Sequence, residues 1–378
     1  MRIAFIRTDF DPFGGAELFT QRLVESLIKK GVEVHFFART WKGEQNSAIH
    51  MHQIGGPGSP SVLRQFWFVN AVKREVEKYS FDLVQSNERT LCQQVYRAGD
   101  GVHARWLELR CARFGFWRRL SIKINPFHCY LLWLEKRMFE DAALKAVIVN
   151  SNMVRKEITS RFEIEDEKIH TIYNGIDIEK FHPRLRKTEG AQLRQQNGVR
   201  DDELVILFVG SGYERKGLLP LLKAFAMSGV CGKLWVVGKG DVKKYQREAR
   251  CLGIEDIVTF WGPQKNTPSF YAAADIFVLP TLYDPFPSVI LEAMASEVPV
   301  ITTVNSGAAE IIEQGKEGFV MSAPEAIEEL VSYIEQLSNY KLRGEMAKHA
   351  RMKVENFSMK KKSEETMQLY RTLISQNI

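Results

Sequence analysis

At 378 residues the chain is long enough for two domains of ordinary size, and its 45% hydrophobic and 26% charged content is that of a globular protein rather than a disordered one. A formal net charge of +6 permits an anionic ligand or membrane surface without demanding either. Five cysteines, at positions 92, 111, 129, 231 and 251 with no Cys-x-x-Cys pair, argue against a disulfide framework or structural zinc site and for a reducing, cytoplasmic environment.

Met1 leads directly into Ile3-Ala4-Phe5-Ile6, so a strand and no signal peptide are expected, and no apolar stretch is long enough to cross a bilayer. The loop 9–17, with Gly14 and Gly15, precedes a helical pattern carrying Leu18, Leu23, Leu27 and Ile28. Strand, Gly-rich loop and helix form the first turn of a doubly wound sheet, and paired glycines allow a ligand close to the backbone. Residues 32–37, 81–86 and 146–150 read as further strands; strands separated by helical patterns argue for an α/β fold with a mainly parallel sheet. Ser151-Asn152 suit a helix cap.

The polar loop 97–103 follows, in chain order, the strand at 81–86. Ligands of doubly wound sheets collect at strand C-termini, so its Asp100 and His103 are candidates for the cleft, His103 being equally an ordinary loop or core histidine. Residues 105–137 mix Arg105, Arg110, Arg113, Arg118, Arg119, Lys123, Lys136 and Arg137 with Trp106, Phe114, Phe116, Trp117, Phe127, Tyr130 and Trp133. Cations interleaved with aromatics suit an anionic membrane surface, each cation contributing roughly 1 kcal/mol. Nucleic acid would favour the same mixture, but no nucleic-acid-binding module is present. An internally packed helix with a solvated basic face is the plainer alternative.

Residues 169–177 read as a strand ending in the Asn174-Gly175 turn, and residues 184–202 as an exposed polar linker. A second βα series begins at 204–209, followed by Gly210-Ser211-Gly212-Tyr213-Glu214-Arg215-Lys216-Gly217. This is no Walker A loop, since Lys216 precedes its glycine. It still suits a diphosphate: glycines give access, Arg215 a forked donor and Lys216 a point charge. Residues 234–240, 257–263, 276–280 and 298–303 read as strands. In 281–295, Pro285 and Pro287 are confined to a lead-in, so a helix should begin near Ser288. The amides of Ser288, Val289 and Ile290 then form a phosphate-binding helix start. Glu292 lies one turn later and Asp284 just ahead. Carboxylates would repel a phosphate but accept hydrogen bonds from sugar hydroxyls, which describes a nucleotide-sugar site. Taken alone, the two acids also fit a loop acid and a solvated helix residue.

Four stretches in this order, 14–17, 173–183 (Tyr-Asn-Gly-Ile-Asp, then Phe181-x-Pro183), 210–218 and 284–295, resemble the retaining glycosyltransferases of family GT4. Asp284 and Glu292 stand at the two positions of that family's Glu-x7-Glu motif, with Asp284 one methylene shorter than usual. The basic aromatic segment and Pro-Phe-Gly-Gly loop look most like the lipopolysaccharide core glucosyltransferases. The resemblance implies a GT-B fold: two Rossmann-like doubly wound α/β domains facing across a cleft, residues 1–178 plus 358–378 binding the acceptor and 179–357 the nucleotide sugar. It implies that a hexose passes with retention from a nucleotide diphosphate sugar, a UDP-sugar in expectation, to a glycan or lipid-linked acceptor, without a metal or other cofactor. Gly14 and Gly15 would face the donor diphosphate or the acceptor, and Gly210, Arg215, Lys216, Ser288 and Val289 would hold the diphosphate. Gly262 would lie at the base-binding edge, Glu292 would hold the ribose, Asp284 a sugar hydroxyl, and Asp100 or His103 the sugar's far side. Nucleic acid is not an expected partner; peripheral attachment to the inner membrane face is. A non-catalytic sugar-nucleotide-binding protein, a glycogen synthase-like polymerase and a sugar-nucleotide epimerase are the other classes the same motifs allow.

Overall fold

The computed structural model describes residues 1–10, 15–42, 46–113 and 115–376. Its chain divides into two compact units, Met1–Asn174 with Met359–Ile378, and Gly175–Ser358. Sequence placed the divisions at 178/179 and 357/358. Residues 175–178 pack within unit 2, where the Ile176 amide donates to Phe357 O at 2.8 Å and Arg351 reaches Ile178 O at 3.2 Å.

Unit 1 opens with β1 (Arg2–Phe10), α1 (Gly15–Ile28), β2 (Glu33–Trp41), β3 (Ile49–Gln53), α2 (Ser61–Val76), β4 (Leu83–Ser86) and β5 (Val95–Arg97). It continues through α3 (His103–Ala112), α4 (Phe116–Lys123), α5 (Pro126–Phe139), β6 (Ala146–Val149), α6 (Asn152–Thr159) and β7 (Ile169–Thr171). The strands form one sheet in the order β3-β2-β1-β4-β5-β6-β7, every pairing parallel. Parallel strands need crossovers that cover the sheet, so β1 is apolar on both faces. Ile3 and Phe5 pack under Phe19, Leu23 and Leu27 of α1, while Ala4 and Ile6 pack under Phe68, Val72 and Val76 of α2. Ser151 caps α6 through the Val154 amide at 3.2 Å, as its position before the helix suggests. Gly14 lies outside the described residues, as does Phe114; Gly15 is the first residue of α1.

Unit 2 comprises α7 (Glu189–Gln196), β8 (Leu204–Val209), α8 (Leu218–Ser228), β9 (Gly232–Val237), α9 (Val242–Cys251), β10 (Val258–Gly262), α10 (Pro268–Ala273) and β11 (Ile276–Leu279). It ends with α11 (Ser288–Ala295), β12 (Val300–Thr303), β13 (Gly318–Met321), α12 (Ile327–Ser338) and α13 (Tyr340–Val354). Its sheet, also parallel, runs β10-β9-β8-β11-β12-β13. The last helix, α14 (Met359–Ser375), belongs to unit 1, burying Met367, Tyr370 and Leu373 in the α1 layer and donating from the Tyr370 hydroxyl to Gln85 Oε1 at 2.5 Å.

The expected exposed linker at 184–202 is instead packed structure. Gly190 of α7 lies against the Ala272 backbone, where a Cβ would come within 2.5 Å of its carbonyl oxygen. Arg186 and Arg194 clamp the buried Asp275 at 2.5 and 2.8 Å, and Asp275 also accepts the Val205 amide. The segment is polar because it is fastened by ion pairs and backbone contacts rather than by apolar side chains, so composition alone misreads it.

At the β2–β3 edge of unit 1, the buried His35 stacks on His50 and His52 and shares a 2.8 Å contact between its Nδ1 and His52 Nε2. Burial holds both His35 and His52 below the ordinary histidine range. An unfolded chain protonates its histidines below about pH 6.5 while these two stay neutral in the folded state. Protonation therefore favours unfolding, and their contribution is complete above that pH and lost as pH falls below it. Thermal unfolding should show a lower melting temperature at pH 5.5 than at pH 7.5, and His52→Gln should shrink that difference. An undiminished difference in the variant would assign the pH dependence elsewhere.

Candidate functional site

In unit 2 the sheet reverses its strand order between β8 and β11. The chain leaves β8 toward β9 on one side and leaves β11 toward β12 on the other, so a crevice opens at the C-terminal ends of these two strands. The two motifs singled out in the sequence, 210–217 and 280–288, are the loops at those ends.

Backbone geometry explains the glycines. Gly210 continues the ladder from β8, its amide bonding Val237 O at 2.9 Å, and the Gly212 amide bonds Lys239 O at 2.8 Å. Gly217 has φ +79, and a Cβ there would lie 1.9 Å from Pro280 O. Only glycine allows the β8 loop to seat against the β11 loop at that point. The contact is then sealed by the Leu282 amide and the Thr281 hydroxyl, both donating to Arg215 O, at 2.8 and 3.0 Å.

That seating brings Lys216 onto Asp284. Both side chains are buried, and the Lys216 ammonium donates directly to Asp284 Oδ2. Burial pulls Lys216 below the usual lysine range and Arg215 adds to the pull, while Asp284 opposes it. Arg215 is more open: Nη1 donates to Tyr283 O at 3.1 Å and stands 3.6 Å from Asp284 Oδ2. Asp284 is fixed from behind, its amide bonding Asn305 O at 3.1 Å and its carbonyl accepting from Gly307 at 2.8 Å. Two cations and one carboxylate thus share one point, leaving net positive charge directed by the half-exposed Arg215.

The helix expected from Ser288 is α11, which starts there after the extended Pro287. One expectation changes: the Ile290 amide bonds Pro287 O at 3.1 Å. Its donor is committed to the first turn, and the anion-facing part of the helix start reduces to Ser288 and Val289. Glu292 is half-buried rather than solvated and lies beside the buried Tyr271 of α10. Burial, reinforced by the Glu292 charge, keeps the Tyr271 phenol protonated well above its ordinary range. Tyr271 escapes a reading of the sequence because only the packing of α10 beside α11 brings it there. Gly262 ends β10, an edge strand, with φ +64, and its carbonyl accepts from the Gly238 amide at 2.9 Å.

Asp100 and His103 belong to unit 1, in the turn after β5 and at the first residue of α3. The His103 amide is capped by Glu135 Oε1 at 2.8 Å, and its Nε2 lies 3.2 Å from His128 Nδ1. Burial, the Arg89 charge and His128 bring the His103 imidazole down to about 3, so it is neutral at neutral pH. Glu135, held by Arg89 at 2.9 Å, also caps the Ala104 amide at 3.1 Å. Sequence reading gave no role to Arg89 or Glu135, whose pairing joins the segment after β4 to α5. Among the described residues, Asp100 and His103 are placed with unit 1, and Arg215, Lys216, Asp284, Ser288, Val289 and Glu292 with unit 2.

The family model described as glycosyl transferases group 1 matches residues 190–353, and that of glycosyltransferase family 4 matches residues 13–180. The spore coat protein SA of Bacillus subtilis is 30% identical over 400 aligned positions, covering 98% of this chain and 99% of that one. The lipopolysaccharide glucosyltransferase WaaG of Escherichia coli is 24% identical, with 93% of each chain covered. A crystal structure of WaaG superposes with a TM-score of 0.86 at 23% identity, covering 97% of this chain and 99% of the other. The Anabaena HepE structure in complex with UDP-glucose superposes at 0.74 and 21% identity, covering 98% and 100%.

Removing either partner of the buried Lys216–Asp284 pair leaves the other charge uncompensated, at about 3 kcal/mol. Lys216→Ala and Asp284→Ala should each lower the urea stability of unit 2 by that order, and the double variant should lose less than the sum of the two. Strict additivity would show that the pair is not coupled.

Proposed function

This chain belongs to the glycosyltransferases of group 1 and family 4, and on that premise we propose that it moves a hexose from a UDP-sugar to a sugar of a lipopolysaccharide-type acceptor. Glycosyl transfer is the activity named for several of its relatives, WaaG being named a lipopolysaccharide glucosyltransferase. The choice of UDP draws on HepE, whose structure holds UDP-glucose. The observation that carries the reading is the convergence of Arg215, Lys216, Asp284 and the start of α11 at the switch point of the unit 2 sheet.

Each group has a chemical task in that reading. Bond cleavage at the anomeric carbon places negative charge on the departing nucleotide diphosphate. Arg215 and Lys216, with the Ser288 and Val289 amides, are suited to stabilise it, as a metal ion does in other transferases. Glu292 accepts the ribose hydroxyls and Asp284 a hydroxyl of the transferred sugar. Lys216 orients Asp284 through their ion pair, so the shorter acid reaches its position by being held from two sides. Transfer with retention then follows from the donor phosphate assisting removal of the acceptor proton.

The second element of the proposal is attachment to an anionic membrane surface through α3, α4 and α5. No helix of the described residues is long and apolar enough to cross a membrane, yet Trp117 is 80% exposed, Phe116 69% and Ile124 66%. Structure adds a neighbour: Leu63, Phe66 and Trp67 of α2 are also exposed, and the Phe66 ring meets Tyr130 of α5 at 6.0 Å. Large apolar side chains exposed together beside Arg119 and Lys123 form an interfacial surface rather than an interior one.

A donor present at 100 times its dissociation constant adds about 2.7 kcal/mol of stability. UDP-glucose or another UDP-sugar should raise the melting temperature where GDP- and ADP-sugars do not; absence of any shift would remove the donor assignment. Transfer should fall at least about 100-fold in Lys216→Ala and stay low in the Lys216→Ala, Asp284→Ala double variant, which removes the oxyanion partner whatever the stability. Recovered turnover there would exclude Lys216 from the chemistry.

The chain should co-sediment with anionic liposomes more than with neutral ones, and Phe116→Glu with Trp117→Glu should abolish the difference. Equal binding to both vesicle types, or none, would overturn the membrane element.

A further inference from the structure

The sheet of unit 1 has its own reversal of strand order, between β1 and β4, and the rule that locates a ligand crevice in unit 2 applies equally there. The residues at these two strand ends are Thr8 on β1 and Asn87-Glu88 after β4. None of them is a donor-site candidate.

The β4 end is rigidly built. The Asn87 amide bonds Ile6 O at 3.0 Å, and its side-chain amide donates to Thr20 Oγ1 at 2.8 Å. Ser86 Oγ donates to Glu88 O at 2.6 Å and accepts from the Glu88 amide at 3.0 Å. This turn sets Glu88 Oε1 at 3.3 Å from the Thr8 amide. That weak bond is the sole hydrogen bond of the Glu88 carboxyl among the described residues, and no ion pair accompanies it. Arg89, its neighbour in sequence, is held by Glu135 and by Gly101 O at 3.0 Å. The residue whose amide the Glu88 carboxyl accepts carries an unsatisfied group of its own: Thr8 is 7% exposed and its Oγ1 has no hydrogen-bond partner. Farther along the same edge, Asn150 is 2% exposed and donates to Gly99 O at 3.2 Å, but its Oδ1 also has no partner. Buried polar atoms are rarely left unmatched, and those that are call for a ligand, a water or a functional role.

We propose that Glu88 is an acceptor-binding residue whose carboxyl, together with Thr8 Oγ1, holds a hydroxyl of the acceptor sugar of a lipopolysaccharide-type glycan at the switch point of unit 1. The proposal rests on the glycosyltransferase reading and deepens it by naming the group that receives the acceptor. The surroundings move the carboxyl toward its protonated form. Burial raises the Glu88 carboxyl above its ordinary range, Asp100 from the loop after β5 adds to that, and Arg7 of β1, the Thr8 amide and Arg89 oppose it. Tyr96 of β5 is a further titratable neighbour and stays protonated, burial pushing it far above neutrality. A protonated carboxyl both donates to a sugar hydroxyl and accepts from one, as a glutamine does and an ionised carboxylate does not.

Glu88→Ala and Glu88→Gln, made in the full chain, test this with UDP-glucose as donor and lipopolysaccharide lacking its outer sugars as acceptor. In Glu88→Ala the acceptor KM should rise at least about 10-fold while the dissociation constant for UDP-glucose and the urea midpoint stay at wild-type values. Glu88→Gln should return the acceptor KM to within about threefold of wild type. The wild-type kcat/KM for acceptor should fall as pH rises and the carboxyl ionises, and Glu88→Gln should lack that limb. An unchanged acceptor KM in Glu88→Ala, or an unaltered pH limb in Glu88→Gln, would overturn the role of Glu88 while leaving the donor assignment standing. Wild-type protein that binds UDP-glucose but leaves this acceptor untouched would overturn the acceptor class. Wild-type protein that binds no donor would instead strike the glycosyltransferase reading beneath it.

Discussion

Parallel strands cannot be joined by tight turns, so the chain that leaves the end of one strand must return to the starting edge of the sheet before the next. All strand C-termini therefore collect on one side of each sheet, and the loops that leave them are free of the packing that fixes the helices. Where the strand order reverses, two such loops diverge and a crevice is unavoidable. In unit 2 this constraint places the 210–217 loop beside the 280–288 loop, and in unit 1 it places Thr8 beside Glu88. The chemistry depends on this backbone arrangement before any side chain is considered.

Within unit 2 the close approach of the two loops is made by glycine and fastened by charge. Gly217 lets the backbone pass at a distance that a Cβ would block, and its neighbour Lys216 is then carried into contact with Asp284. A buried ion pair adds little net stability compared with an apolar pair of the same shape. Its presence is better explained by what it positions: an oriented acid, and a cation kept charged in a buried place by its partner. Arg215, tied by its backbone to Thr281 and Leu282 and by its guanidinium to Tyr283, adds the open positive charge. The three residues act as one unit, so their substitutions are expected to be non-additive in stability and in turnover alike.

Unit 1 shows a different electrostatic regime. Its corresponding edge carries a carboxyl without an ion pair among the described residues, a histidine held neutral, and buried polar atoms without partners. A site that recognises neutral sugar hydroxyls needs hydrogen-bonding groups of moderate polarity, whereas a diphosphate site needs concentrated positive charge. The contrast is the one required by the proposed donor site in unit 2 and the proposed acceptor site in unit 1.

Local features were legible in the sequence because their causes are local. Pro285 and Pro287 dictate a helix start at Ser288, Ser151 announces its cap, and apolar runs such as 204–209 and 276–280 can only be strands buried on both faces. The motif 210–217 and the acid pair Asp284 and Glu292 could be recognised because their spacing lies within a single loop and helix. The three-residue β5 carries too little pattern to be seen, and the polar α7 reads as a linker because its anchor, Asp275, lies about eighty residues away. The sequence by itself determined the fold class, the family and the two loops that meet at the switch point of the unit 2 sheet. Tertiary structure alone decided that Lys216 and Asp284 neutralise one another, that Ile290 withholds its amide, that Tyr271 flanks Glu292, and that Glu88 stands beside Thr8. Those pairings join residues distant along the chain, and only the order of strands in a folded sheet brings them within hydrogen-bonding distance.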